Sequence, residues 1–540
     1  MNIKKTIIFF CFFMAALCLH SQAEKKSFYN VILADDPVFD DIRFLSLEAG
    51  IPFLSFSPPL SAHELKNFLN FIDDNNLSQA GRNAYNRILN RITPVMPSIS
   101  WSDELFAFSF NITSTLEGEI RFNQNISWED ELNKVSPLVS FPLQFFFSEY
   151  IQMYIEPVIS VKSRSRGSDN FYLNLPEDFN QEYWALRSFG TAGGSWWNLF
   201  VGRDHLYWGS AHSGSLSFSN DTPYYDIAKV SFFSRYFKYS FIVNHMPLKL
   251  NSFKNPSLVS ETTNWIPDGN KSMNRYLYLH RIDINVLNKI TISAMEGIIA
   301  GNAPLELRYL NPLNIYHSLS PWADYERVHG SNVSSFFSAE INWNIIKPLA
   351  VYAQFAMNEV SIQTEIDRGD DLPPNGLGYL AGIHFSLPIN SWGSLYYLEF
   401  IYTDPYLYIL SNPFSSFIQH DYHYYLMGHS RDTISLTAGA SFFNYDTLRF
   451  LSKFSWITSG EHNKNKLIWD WNNSNNEYFE KTPTGIAESK FLLTFETEWK
   501  PLSWLVLKAG ITGIVSNNNN HKKGSRESGG QAWFSAGIAY

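Results

Sequence analysis

One stretch concentrates side chains able to grip a polar ligand: 199–220, LFVGRDHLYWGSAHSGSLSFSN. Within it stand Arg203, Asp204, His205, Tyr207, Trp208 and His212. A guanidinium can hold a carboxylate through two parallel hydrogen bonds. An aromatic plate such as Trp208 suits the CH-rich face of a sugar ring, and equally suits packing inside a loop. An apolar lead-in before the Gly-Arg-Asp break reads as a strand, the aromatic-rich part as a long loop, and 215–218 as the approach to the next strand. If Phe200 and Gly202 face lipid, Arg203 faces the lumen or the rim, where it either organises a polar network or contacts an acidic sugar.

Two more groups compete for a chemical reading. Asn311 and His317 flank Pro312, can bond sugar hydroxyls, and can equally belong to a rigid folded loop. The segment 406–432 interleaves tyrosines with His420, His423 and His429, without the H-E-x-x-H spacing or the cysteines of a metal site. His212-Ser213 and His205 beside Asp204 suggest a Ser/His/Asp set, but no nucleophile elbow accompanies them. The expectation is a non-enzyme without metal or cofactor.

The elements that carry these residues follow from composition and period. Of 540 residues, 16 % are aromatic, 44 of them Phe and 29 Tyr, and only 17 % are charged. That is aromatic-rich and charge-poor for a water-soluble chain, yet mean hydropathy is slightly negative. After the first segment no apolar run is long enough for a spanning helix. Lys4 and Lys5, the apolar 7–19 and the small-x-small Ser21-Gln22-Ala23 read as a secretory leader, 1–23. Both cysteines, Cys11 and Cys18, fall inside it, so the mature chain is expected to lack disulfides and thiolate sites. Loss of the two leader lysines from 41 basic residues leaves 39 against 51 acidic ones, and nucleic acid is excluded as a partner.

Residues 24–100 read as a small helical unit, a simple N-terminal cap. Ser61-Ala62-His63-Glu64 is a capping box, and Leu65, Phe68, Leu69 and Ile72 share the face of the helix it starts. Ser78 caps a second helix with Ala84, Tyr85, Ile88 and Ile92 on one face, stopped by Pro94.

From Trp101 the period becomes two. Phe106, Phe108, Phe110 and Ile112 alternate with small or polar residues, as do Ile434, Leu436 and Ala438, and then Phe491, Leu493 and Phe495. Apolar-out, polar-in alternation with aromatic strand ends is the pattern of a transmembrane barrel. Phe534, Ala536 and Ile538 alternate up to a terminal aromatic, Tyr540, which resembles the assembly signal of bacterial outer-membrane barrels. Long and short connections alternate throughout: 516–530, 459–489, 403–432, 358–376 and 297–334 are long, while 500–503, 444–446, 388–393, 345–348 and 287–289 are short. Such barrels have short periplasmic turns and long outer loops. The earlier strands are expected near 275–285, 236–244, 225–234, 194–202, 181–190, 149–161, 119–129 and 105–116. The predicted fold is therefore an all-β transmembrane barrel, 101–540, of about eighteen antiparallel strands, preceded by a small α-helical unit.

At Gly202-Arg203-Asp204, Tyr207-Trp208-Gly209, Gly214-Ser215-Leu216 and Ser219-Asn220 the chain resembles the Wzi-type capsule assembly family. Leu279-His280-Arg281-Ile282-Asp283 and Leu310-Asn311-Pro312 with Tyr316-His317 resemble two later blocks of it. Gln354 and Asn358 stand where acidic residues are common in that family. The resemblance implies an outer-membrane lectin that holds surface polysaccharide and is not an enzyme. Its partners would be that polysaccharide, outer-membrane lipids and, during biogenesis, the barrel-assembly machinery. Arg203, Asp204, Tyr207, Trp208, Asn311, Tyr316 and His317 are the carbohydrate-binding candidates. The alternative is a porin or glycan-export channel of the outer membrane.

Overall fold

The computed structural model describes residues 28–92, 99–102, 105–123, 125–126, 136–160, 171–175, 187–219, 222, 224–249, 272–301, 304–311, 314–316, 333–360, 373–410, 414–421, 423–444, 447–462 and 480–539. The leader with Cys11 and Cys18, the helix stop Pro94, Asn220, Pro312, His317 and Tyr540 lie outside them.

Three helices come first: α1 (Val38–Ala49), α2 (Ala62–Leu69) and α3 (Gln79–Ile92). The capping box forms as expected, with Ser61 Oγ accepting from His63 N at 3.2 Å and Glu64 Oε1 accepting from Ser61 N at 3.0 Å. Ser78 Oγ likewise accepts from Gly81 N at 3.0 Å at the start of α3. The sequence reading missed α1. Its signals were present, Pro37 at its start and Gly50 at its end, where φ of +70° suits glycine. The apolar residues of α1 lie all round it because the helix is enclosed. Ile42, Phe44 and Leu45 share a core with Ala350, Leu395 and Phe443 of the sheet, and the Phe44 and Phe443 rings meet edge-on at 5.7 Å.

A 23-stranded antiparallel sheet follows. From Arg187–Gly193 to Arg526–Ala539, each long strand pairs with the next long strand in the chain. The last one pairs back onto Thr113–Phe122, with Phe534 opposite Gly118. Phe106–Phe110 and Thr113–Phe122 keep one register against 139–147, Phe110 facing Leu143 and Thr113 facing Ser140. The strands expected near 105–116 and 119–129 are thus one long arm, 106–122. It is interrupted opposite Pro142, which has no N–H to give the ladder and only accepts from Asn111 N at 3.0 Å.

The two faces of the sheet meet different surroundings. Phe491, Leu493, Phe495 and Trp499 are exposed on one face, while Lys490 and Thr494 between them are buried on the other. Ile511, Phe534 and Ile538 continue the exposed apolar band, with Trp196, Trp343 and Trp504 exposed towards strand ends. So much contiguous exposed apolar surface is incompatible with water on that side and is what a lipid-facing wall requires.

Short turns such as 234–236, 287–289, 347–348 and 390–391 alternate with long connections, as expected. The helical unit sits on the inner face at the short-turn end, so it is more than an appended cap. Lys289 Nζ donates to Gly50 O at 3.3 Å, Asn83 Nδ2 to Ser391 O at 3.4 Å and Asn344 Nδ2 to Ser46 O at 2.9 Å. Lys238, buried in the wall, pairs with Glu64 at 2.6 Å.

Candidate functional site

After Asp204 the chain turns inward instead of out from the long-connection end. Leu206, Trp208, Ala211, Leu216 and Phe218 are completely buried. The loop closes on itself. Trp208 N donates to Phe218 O at 3.1 Å, Tyr207 Oη donates to Ala211 O at 2.6 Å and Gly214 O at 3.0 Å, and Ser215 Oγ donates to Trp208 O.

Two wall carboxylates hold its backbone. Glu340 Oε1 accepts from Ser210 N and Oγ, both at 2.7 Å, while its other oxygen takes Arg281 at 3.0 Å. Glu399 accepts from His212 N at 2.5 Å, from Ser213 N at 2.7 Å, and from the hydroxyls of Ser213 and Tyr352. Gln354 Oε1 takes Leu216 N at 3.0 Å. A Cβ on Gly209, where φ is +128°, would strike the Gln354 amide. The loop tip meets the N-terminal unit, with Gly209 N donating to Phe56 O at 2.9 Å and Trp208 Nε1 to Pro58 O at 2.8 Å.

The described residues of 404–432 form a second inward layer on the first. Tyr408 Oη donates to Leu216 O at 2.8 Å, His429 N to Ser215 O at 2.7 Å and Ser219 N to Met427 O at 2.7 Å. Asn358 accepts from Tyr408 N at 2.8 Å. Gln354 and Asn358 are therefore wall residues that clasp the two inward loops. The sequence reading missed Glu340 and Glu399. Their signal is a lone carboxylate at an inward position of an otherwise alternating strand.

Ser213 gives its hydroxyl to Glu399, and Asp204 pairs with Arg187 at 2.7 Å. Neither is available to a histidine-based triad. Burial, with Arg187 adding to it, pushes the His205 pKa down to about 4. Burial and then Arg43 push His212 well below its usual value. Both imidazoles are neutral in the folded-in loop. A released loop would bind protons at about 6.5, so more protons are bound in the released state below that pH. The inward fold is fully stable above about pH 6.5 and weakens as pH falls towards about 4. Ion conductance across planar bilayers should rise between pH 7.5 and 4.5, and the rise should shrink when both histidines are replaced by glutamine.

The remaining candidates lie on the other side of the wall. Facing is reversed from the expectation at 199–203. Phe200 points inward, fully buried against Phe189 at 4.8 Å, while Leu199 and Val201 are exposed. The reversal has a packing cause, since the interior at this level holds the apolar loop core, not water. Arg203 consequently faces outward. Its guanidinium pairs with Asp226 at 2.8 and 2.9 Å and lies 3.8 Å from the Tyr224 ring centre. Gly202, at φ +145°, permits this turn, because a Cβ would come within 2.2 Å of Ser188 O. Arg203, Asp226, Val243 and His245 line a shallow groove of about 510 Å³ at the long-connection end, with His245 stacked on Tyr276 at 5.1 Å.

Tyr316 is also outside the wall. It stacks on His280 at 4.8 Å, its N–H goes to Glu296 at 3.0 Å and its hydroxyl donates to Tyr309 O at 2.8 Å. Tyr316 is completely buried there. Asn311, on the same segment, is exposed and donates to Asn314 at 3.1 Å. The sheet separates Tyr207 and Trp208 from Arg203, Asn311 and Tyr316, so the candidates do not form one pocket.

Over 95 % of this chain and 99 % of its own length, one solved structure superposes with a TM-score of 0.59 at 14 % identity. It is Wzi of Escherichia coli, an outer-membrane carbohydrate-binding β-barrel involved in group 1 capsule assembly. The chain has the fold of an outer-membrane β-barrel. OprD of Pseudomonas aeruginosa matches over 80 % of this chain and 95 % of that one, with 8 % identity and a TM-score of 0.38. The channel DcaP of Acinetobacter baumannii matches over 81 % and 99 %, with 8 % identity and a TM-score of 0.36. No protein-family profile and no curated protein matches the sequence. In barrel terms, the inward loops and the helical unit occupy the lumen, and the groove at Arg203 lies on the outer wall near the rim.

Proposed function

We propose that this barrel holds surface polysaccharide at the cell exterior and is neither a channel nor an enzyme. The wall in this reading is a closed barrel of about eighteen strands, counting 106–122, 139–147 and 151–159 as one strand each. Residues 24–100 form the helical unit and 101–540 the barrel, with short turns towards the periplasm. The apolar outer face meets membrane lipid, and the last strand is what the assembly machinery would engage.

The observation that carries the reading is the lumen itself. A self-bonded loop, latched by Glu340 and Glu399 and overlaid by 404–432, occupies the space a pore would need. Sugar contact then belongs to the long-loop end, where Arg203, Asp226, Tyr224 and His245 offer an ion pair with both charges at the groove and aromatic rings beside it. Trp208 and Tyr207 serve by fixing the loop.

A glycan array with the purified barrel tests this. Saccharide binding should fall roughly tenfold, about 1.4 kcal/mol, on Arg203→Ala. Thermal stability should barely move, since a half-exposed ion pair contributes ~0–1 kcal/mol. Absence of any glycan signal, or a signal indifferent to Arg203, would sink the reading. A channel is the second reading, favoured by Glu498, Lys500 and Lys508, charged residues whose side chains keep 22 %, 31 % and 46 % exposure and pair with one another. Sustained conductance of the wild-type barrel at neutral pH would favour it.

A further inference from the structure

Between the helical unit and the short-turn half of the wall is a cavity of about 270 Å³. Ala34, Phe39, Asp40 and Arg43 form one side of it, Tyr207 and His212 of the inward loop another, and Leu395, Tyr397, Ser441, Arg449, Leu451 and Lys453 the wall. Its volume is near the lower end of the ~300–1,000 Å³ typical of small-ligand pockets, enough for a single-ring ligand.

The charges around it are unbalanced. Arg43, Arg449 and Lys453 supply three cations, and Asp40 is the one carboxylate among the lining residues. Asp40 is shared by Arg449 at 2.8 Å and Arg43 at 3.5 Å. The Lys453 ammonium makes no hydrogen bond or ion pair among the described residues, its backbone alone being paired in the sheet. Arg43 is nine-tenths buried, and its Nε has no partner there. Buried donors without acceptors are costly unless something else satisfies them. Beside these charges stand apolar side chains, Phe39, Leu395 and Leu451, and the polar groups of Ser441, Tyr207 and His212, with Tyr397 lying flat on His212 at 4.4 Å.

We propose that this cavity is a second binding site, for an acidic sugar of the hexuronate class. Its carboxylate sits among Lys453, Arg449 and Arg43, and the apolar face of its ring packs on Phe39, Leu395 and Leu451. A cationic, partly apolar pocket selects such a ligand over a neutral sugar by charge and over a bare anion by ring packing. The site lies at the short-turn end, on the far side of the inward loop from the rim groove. It would engage saccharide from the periplasmic side, and it does not depend on the rim binding saccharide.

Isothermal titration of the full-length barrel in detergent, with glucuronate and galacturonate as probes and glucose and inorganic phosphate as controls, tests it. A uronate should bind, glucose should not, and phosphate should bind at least tenfold more weakly. Lys453→Gln should weaken uronate binding about tenfold, and Lys453→Glu should abolish it. Ser441→Phe, which fills the cavity without altering a charge, should also abolish it, with unchanged melting temperature as the control for folding. No uronate binding, or equal binding of phosphate, overturns the proposal. So does binding that survives Lys453→Glu and Ser441→Phe. If such binding falls with Arg203→Ala instead, the rim reading stands and this one fails.

Discussion

Replacing Glu399 with leucine is expected to make the barrel conduct. Glu399 accepts from two loop N–H groups and from the hydroxyls of Ser213 and Tyr352, and it is itself 1 % exposed. Leucine offers none of these donors an acceptor. Each buried donor left unsatisfied costs about 1–3 kcal/mol, so several kcal/mol of preference for the inward loop disappear. The wall strands keep their own ladders, because Glu399 contributes only its backbone to the pairing with Gly382 and Thr437. The expected result is stepwise conductance in planar bilayers together with undiminished heat-modifiability on gels. Glu399→Gln, which keeps one acceptor oxygen, should conduct less. A silent Glu399→Leu barrel would show that the segment 404–432 alone closes the lumen.

Glu64→Ala should release the helical unit. Glu64 does two jobs, completing the capping box of α2 and neutralising Lys238, whose side chain is fully buried in the wall. Ser61 still caps α2, but its own buried N–H loses its acceptor, which costs about 1–3 kcal/mol, and an uncompensated buried charge costs about 3–5 kcal/mol. Limited proteolysis should then cut between α3 and the first strand, leaving the barrel intact. A double variant, Glu64→Ala with Lys238→Met, should recover most of the protection because no charge is left stranded. Equal protease resistance in wild type and Glu64→Ala would mean that the apolar core around Phe44 and Phe443 is enough to hold the unit.

Much of this architecture was legible in the residues because it follows from two solvents. Phe491, Leu493 and Phe495 face lipid while Lys490 and Thr494 face inward, and a period of two records that directly. The capping box at Ser61 is equally legible, being a local arrangement. Arg203 was harder. Its facing depends on what fills the lumen at its level, and apolar packing there reversed the parity of 199–203. Trp208 reads the same in sequence whether it stacks on a sugar or plugs a loop; in the fold it is buried and donates to Pro58 O. Glu340 and Glu399 act on a loop more than a hundred residues earlier, a contact no local pattern encodes. Tyr316 packs on the outer wall, where its ring covers His280, which stands opposite Glu296.

The most direct measurement is the partition of surface polysaccharide between cells and medium in a strain lacking this protein. A barrel that holds polymer predicts release into the medium with total synthesis unchanged, restored by the wild-type chain and not by Arg203→Ala. Full retention on the deletion strain, or a fall in total polymer with none released, would contradict it.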